Sequence, residues 1–191
     1  MTRRVFIGLD LVKLRQEFAA NLDEIDRACV EVAQAEYTSP RLTSEYMIKD
    51  ILSELNLTQC EQMIDGAVTD YVATLGSNCE PTRAKSWIHR VEHGQGHPWH
   101  AHAPADVSGT LYLRVGAGGD LEFRSPNPYS RAGYFPQLYE AAPVVQRTPR
   151  QGDCGVWPSW LEHRVTPVLS DEPRYAISFD YVIPKGPAVN T

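Results

Sequence analysis

Five of the six histidines of the chain, His89, His93, His97, His100 and His102, fall between positions 89 and 102, and the sixth is His163. His100-Ala101-His102 has strand spacing, and residues two apart share one face of a strand. Their imidazoles can therefore converge on one ion, with His97 and Trp99 pointing the other way. Imidazole is a common side-chain ligand for iron and zinc. An isolated H-x-H is as readily a plain surface feature. Here Gly94 and Gly96 precede it, Ala103-Pro104-Ala105 gives a turn after it, and His163 begins a later strand. Two ligands on one strand and a remote third make an open site, with positions left for water, substrate and oxygen. His89, His93 and His97 are read as non-ligands: His89 faces the wall or the pocket, and the other two flank glycines in a loop.

Arg174 is the second group that could do chemistry. It opens a segment in which Ala176, Ser178 and Asp180 share its face, while Tyr175, Ile177, Phe179 and Tyr181 occupy the other. The bulky face suits packing against a helical layer and the small, polar face suits a lumen. An arginine in a confined lumen is an unpaired buried charge, which is costly. A dicarboxylate would satisfy it through a bidentate pair. The alternative is an arginine at a strand end that reaches solvent or pairs with Asp171 or Glu172.

Two kinds of element must position these groups. Over residues 10–36, Leu11, Leu14, Phe18, Leu22, Ile25, Cys29 and Val32 recur in steps of three and four, which predicts one amphipathic helix. Ser44 to Leu55 predicts a second helix. Thr58 and Glu61 form a capping box for a third, whose stripe is Ile64, Val68, Tyr71 and Leu75, with Gly76 at its C-terminal stop. From Arg83 onward the period changes to two. Trp87 to Val91, Thr110 to Val115, Leu121 to Arg124, Val144 to Thr148, Cys154 to Trp157, His163 to Val168 and Arg174 to Val182 read as strands, with 116–120 as the turn of a hairpin. The long 125–143 loop, with Tyr129, Tyr134 and Tyr139, is either a lid or packing. Short strands with regular turns predict a sandwich or barrel, here under a helical layer.

The 191 residues suit one domain, 1–191, with 1–80 as helical support and 83–183 as the core. A net charge of −6 and the absence of a basic cluster argue against a nucleic-acid partner. No apolar run is long enough for a membrane helix, and Asp10 and Lys13 interrupt the N-terminal apolar stretch too soon for a signal peptide. The expected location is cytoplasmic. The four separated cysteines, Cys29, Cys60, Cys79 and Cys154, read as free thiols.

Taken in order, Ser86-Trp87-Ile88, His100-Ala-His-Ala-Pro104, Ser108-Gly-Thr-Leu-Tyr-Leu113, Gly119-Asp-Leu-Glu-Phe123, Gly152 to Ser159, Leu161-Glu-His-Arg-Val165 and Arg174 to Tyr181 resemble the Fe(II)/2-oxoglutarate-dependent oxygenases. Within them they resemble the small 2OG-Fe(II) oxygenase group with an H-x-H…H motif. The resemblance covers about residues 83–183. It implies an α+β chain whose core is a double-stranded β-helix, a jelly-roll or cupin-like barrel. It implies Fe(2+) held by His100, His102 and His163, which are the catalytic set. It also implies 2-oxoglutarate bound by Arg174, with Tyr112 and Ser108 assisting at its distal carboxylate. Oxygen and a small-molecule or amino-acid-like substrate complete the reaction, most often a hydroxylation. His102 departs from the wider superfamily, which has a carboxylate there. Three neutral ligands leave the full 2+ charge and alter redox tuning. Asp106 is the rival ligand, and a histidine at 102 argues against halogenation.

Two other readings remain open at this point. Gly94, His100, His102 and Asp106 approximate a first cupin motif, and Pro149, Gly152 and His163 loosely echo the second. A cupin-type dioxygenase, isomerase or binding module would use His100, His102, Asp106 and His163 without 2-oxoglutarate. A barrel used only for binding or assembly would take up no metal. No nucleic-acid or membrane partner is expected, and the sequence admits a homodimer.

Overall fold

The computed structural model describes residues 11–32, 41–128 and 144–184. Helix α1 spans Leu11–Ala20 and α2 spans Leu22–Ala28, and β1 follows at Val30–Val32. The single helix expected over 10–36 is therefore interrupted. At Asn21 the backbone leaves helical geometry (φ −106°, ψ 6°), and its N–H and side-chain amide both donate to the Glu17 carbonyl, at 3.2 and 2.9 Å. The stripe still works, because Leu14, Phe18 and Ile25 are buried.

Of the segment expected as a second helix, Ser44 to Leu55, residues 44–50 form turns and one bridge, Asp50 to Ser86, that anchor it to the sheet. Strand β2 covers Arg41–Thr43 and only Ile51–Glu54, α3, is helical. The reason is tertiary: Ser44 N donates to Ile88 O at 3.1 Å, and Ile88 N donates back to Ser44 Oγ at 3.0 Å. Helix α4, Thr58–Thr74, starts where expected and ends before Gly76, whose φ of 77° suits a residue without a Cβ. Its cap differs from expectation. Glu17 supplies it, accepting from Gln59 N at 2.8 Å and Cys60 N at 2.9 Å, while Glu61 is drawn away to Arg83.

The remaining strands are β3 (Thr82–Val91), β4 (His97–His100), β5 (Val107–Arg114), β6 (Leu121–Arg124), β7 (Val144–Arg147), β8 (Cys154–Pro158), β9 (His163–Val165) and β10 (Arg174–Val182). They form a six-stranded sheet ordered β1-β2-β3-β10-β5-β8 and a four-stranded sheet ordered β4-β9-β6-β7. Every paired strand within them is antiparallel. The expected β5–β6 hairpin does not form: β5 pairs with β10 and β8, and β6 with β9 and β7. Gly118 and Gly119, at φ of 71° and 66°, carry the chain from one sheet to the other.

Helix α4 packs on β5 and β8, so the helices cover one face of the larger sheet. Leu14, Ile64 and Val68 from the helices and Leu111, Val156, Tyr175, Ile177 and Phe179 from the sheet share one buried cluster. The alternation in β10 sorts as expected, with Tyr175, Ile177, Phe179 and Tyr181 in that cluster. The opposite face of the sheet looks toward the smaller sheet, and a cavity lies between the two. None of the four cysteines is paired; Cys60 and Cys154 are buried. Among the described residues no helix is long and apolar enough to cross a membrane. Of the 125–143 loop, residues 129–143, including Tyr129, Tyr134 and Tyr139, lie outside the described residues.

Candidate metal centre

The cavity between the sheets holds about 250 Å³. Its wall on the larger sheet is built from neighbouring inward rows. Ala176 of β10 sits between His89 of β3 and Tyr112 of β5, and Ser178 sits between Trp87 and Thr110. Arg174 begins the β10 row and Asp180 ends it, six residues or roughly 20 Å along an extended strand. The smaller sheet contributes His97 and His100 from β4, Leu121 from β6, and His163 and Val165 from β9.

His100, His102 and His163 meet at one end. One ring nitrogen from each lies within 4.8 Å of the others. Ring centroids are 4.2 Å apart for His100–His163, 5.1 Å for His100–His102 and 5.2 Å for His102–His163. Antiparallel pairing sets His100 directly across from His163. His102 lies beyond the end of β4, so strict strand alternation does not deliver it. Its backbone N donates to Ser159 O at 2.9 Å, which turns the chain back toward the site.

The outer nitrogen of each ring has an acceptor. His100 Nδ1 meets Pro98 O at 2.8 Å, His163 Nδ1 meets Leu161 O at 2.9 Å, and His102 Nδ1 meets Asp180 Oδ1 at 2.9 Å. Carbonyls and carboxylates only accept, so each Nδ1 carries the hydrogen. A neutral ring then presents the Nε2 lone pair inward. Burial and the nearby His100 ring pull the His163 pKa down to about 3, so this ring is neutral at physiological pH. His102 Nε2 is buried with no hydrogen-bond partner. Bonds of ~2.1 Å at tetrahedral or octahedral angles put ligand nitrogens about 3.0–3.4 Å apart, so nitrogens within 4.8 Å of one another close by up to about 2 Å to share an ion. The residues present fit a first-row cation.

The rest of the histidines divide differently from expectation. His97 was expected to face away from His100, yet their ring centroids are 4.0 Å apart and both line the cavity. An irregularity between them sets His97 opposite Val165 and His100 opposite His163, three residues against two, which breaks the alternation. His89 also lines the cavity, and its Nε2 accepts from Trp87 Nε1 at 2.7 Å. Neither belongs to the converging group. Asp106, the rival ligand, does not belong to it either: its Oδ2 accepts from Ile183 N at 2.8 Å.

Arg174 faces the same cavity and is only 3% exposed. Its guanidinium lies 4.9 Å from the centre of the Tyr112 ring, and its Nε has no hydrogen-bond partner. Burial pushes its pKa down while Tyr112 and Asp120 push it up; an arginine remains charged regardless. Gly119 makes room for its stem, since a Cβ there would stand 3.1 Å from Arg174 Cδ. The structure thus brings Tyr112 to Arg174. It does not bring Ser108 there. The β5–β10 register sets Ser108 opposite Asp180, to which its hydroxyl donates at 2.6 Å.

Asp180 and Ser159 are site residues that the sequence reading did not single out. Ser159 Oγ lies 2.7 Å from Ser108 Oγ and, like it, is fully buried. The one sequence signal for Asp180 is its two-residue parity with Arg174. Trp157, beside His163 at 5.0 Å between ring centroids, completes the cavity wall.

A three-imidazole cluster and a buried arginine, enclosed between two antiparallel sheets, make a cavity that could hold a cation at one place and an anion at another. The chain belongs to the family described as "Putative 2OG-Fe(II) oxygenase", whose profile matches residues 85–180. Fe(2+) and 2-oxoglutarate are accordingly its cofactor and co-substrate, with oxygen the second co-substrate. Solved structures share the fold. An oxidoreductase of the 2OG-Fe(II) oxygenase family from Burkholderia pseudomallei is 14% identical over 94% of this chain and 93% of its own, with a TM-score of 0.63. A prolyl hydroxylase from Trichoplax adhaerens, in complex with a hypoxia-inducible-factor peptide fragment, is 17% identical over 100% and 86%, with a TM-score of 0.63. The α-ketoglutarate-dependent epimerase SnoN from nogalamycin biosynthesis is 17% identical over 88% and 74%, with a TM-score of 0.60. At these identities the similarity concerns the fold. No curated protein matches the chain.

Proposed function

We propose that this chain is an Fe(II)- and 2-oxoglutarate-dependent dioxygenase that hydroxylates a small, amino-acid-like substrate, and that its two sheets are the halves of a double-stranded β-helix. In this reading His100, His102 and His163 hold the iron through Nε2, and Arg174 pairs with the distal carboxylate of 2-oxoglutarate. The observation that carries it is the pairing of opposite needs in one cavity. His102 offers an unpartnered lone pair at one place, and Arg174 an unpartnered N–H at another. A cation and a dicarboxylate together satisfy both.

Iron, when bound, supplies the oxygen activation that couples decarboxylation of 2-oxoglutarate to oxidation of the substrate. The chain does the rest. The three Nδ1–H bonds fix the tautomer and angle of each ring. Arg174 and Tyr112 orient the co-substrate from the far wall. Leu121, Val165 and, at the histidine end, Trp157 line the cavity with apolar surface, which strengthens ionic contacts within it and limits side reactions.

The substrate approaches from a second cavity of about 350 Å³, which shares His100, His102 and Trp87 with the first. At its wall Glu45 and Lys85 pair at 3.8 Å, an arrangement of both charges that suits a zwitterion. Ser108 belongs with Asp180 in this reading, and Tyr112 is the co-substrate residue.

Anaerobic titration of the iron-loaded protein with 2-oxoglutarate tests the assignment. A weak visible charge-transfer band should grow and saturate at one equivalent. Stoichiometric iron with no spectral response to 2-oxoglutarate would remove the co-substrate assignment.

A further inference from the structure

We propose that Asp180 is a positioning residue of the metal centre, which delivers through His102 the negative charge that the ligand set itself lacks. The inference rests on His100, His102 and His163 being that set.

Three neutral imidazoles leave the whole charge of a divalent cation uncompensated in a largely buried cavity. Such charge is costly unless a counter-charge stands close by. Asp180 is 2.9 Å from His102 Nδ1, on the far side of the ring from Nε2. A carboxylate accepting the outer N–H of a ligating imidazole orients the ring and raises its basicity as a ligand. His100 and His163 have only backbone carbonyls in that place. Among the described residues, His102 is the ring of the three whose Nδ1 meets a carboxylate.

The carboxylate is itself held for this task. Ser108 donates to Asp180 Oδ1 at 2.6 Å, so the 2.7 Å contact between the two serine hydroxyls has Ser159 donating to Ser108. The chain of donors Ser159 to Ser108 to Asp180 ends on the same oxygen that receives the His102 hydrogen. Ser159 also accepts the His102 backbone N–H, so one residue fixes both the ring's anchor and the ring's partner. Lys85 pairs across the strands with Asp180, but its ammonium is taken by Glu45 at 3.8 Å and lies 5.0 Å from the Trp87 ring. Asp180 is left to His102.

Co²⁺ affinity of the metal-free protein, measured by titration calorimetry, tests this without turnover. The set is wild type, Asp180→Asn, His102→Ala and the double variant, each first checked for an unchanged far-ultraviolet spectrum. Asp180→Asn keeps the shape and removes the charge, and should weaken binding by about 10- to 100-fold. In the His102→Ala background the same change should cost about twofold or less, because the route to the ion is gone. Ser108→Ala keeps the carboxylate and loses its orienting donor. It should weaken binding by a smaller factor, and it serves should Asp180→Asn fail to fold. Asp180→Asn within about threefold of wild type, an equal loss with His102 absent, or an unchanged Ser108→Ala would overturn the proposal. A wild-type protein that binds no Co²⁺ at these rings would instead sink the ligand set itself.

Discussion

Arg174 is the side chain whose role is most sharply testable by itself. Replacing it with alanine removes a charged, potentially bidentate contact from a confined site, a loss on the order of 2–5 kcal/mol. The 2-oxoglutarate concentration needed for half-maximal turnover should rise at least about 30-fold, with iron affinity nearly intact. An unchanged requirement would make Arg174 structural. Arg174 was legible from residue type and its parity along β10, and the three histidines from residue type and clustering; parity alone does not place His102, which lies past the end of β4. Asp180 and Ser108 were not legible as partners. They stand 72 residues apart in the chain and meet only through the β5–β10 register. His97 was misdirected for a related reason, since an irregularity in a four-residue strand leaves no mark in composition.

At the scale of elements, tertiary partners overrode local signals. The T-x-x-E box before α4 is present, but Glu61 is engaged by Arg83 and the cap comes from Glu17 on α1. The 44–55 segment carries a helical stripe, yet its backbone bonds to β3. Asp50 joins these pieces: it accepts from Ser53 at 2.9 Å, from Ser86, and from Arg83 Nε at 3.1 Å. Burial pushes the Asp50 carboxyl up, but these hydrogen bonds and the Arg83 charge outweigh it and hold it below its ordinary value. A carboxyl lowered in the folded state stabilises fully above its unfolded pKa of ~3.9 and loses that contribution as pH falls through the lower folded value. Stability measured by urea unfolding should therefore decline in acid below about pH 4–5, and Asp50→Asn should flatten that decline. Parallel acid limbs for the two proteins would mean that Asp50 contributes nothing to it.

For the molecule as a whole, the cation belongs to the folded state. The proposed ligands come from β4, the segment after it and β9, which an unfolded chain does not bring together. Binding to the native state alone stabilises by about 2.7 kcal/mol at a free metal concentration 100 times Kd. Anaerobic Fe(II), or Mn(II) in its place, should raise the melting temperature of the wild type and leave that of His163→Ala nearly unmoved. An equal rise in both would locate the ion elsewhere. The two-sheet plan under helices was legible from the change of period near residue 83. The partition of strands was not, since the β5–β6 turn reads as a hairpin locally and only the pairing of β6 with β9 sends it to the other sheet.

The most direct measurement is anomalous diffraction at the iron edge from crystals loaded anaerobically with Fe(II). The expected result is one strong peak about 2.1 Å from Nε2 of His100, His102 and His163. A peak bonded to other residues, or to only one of these rings, would contradict the three-histidine centre.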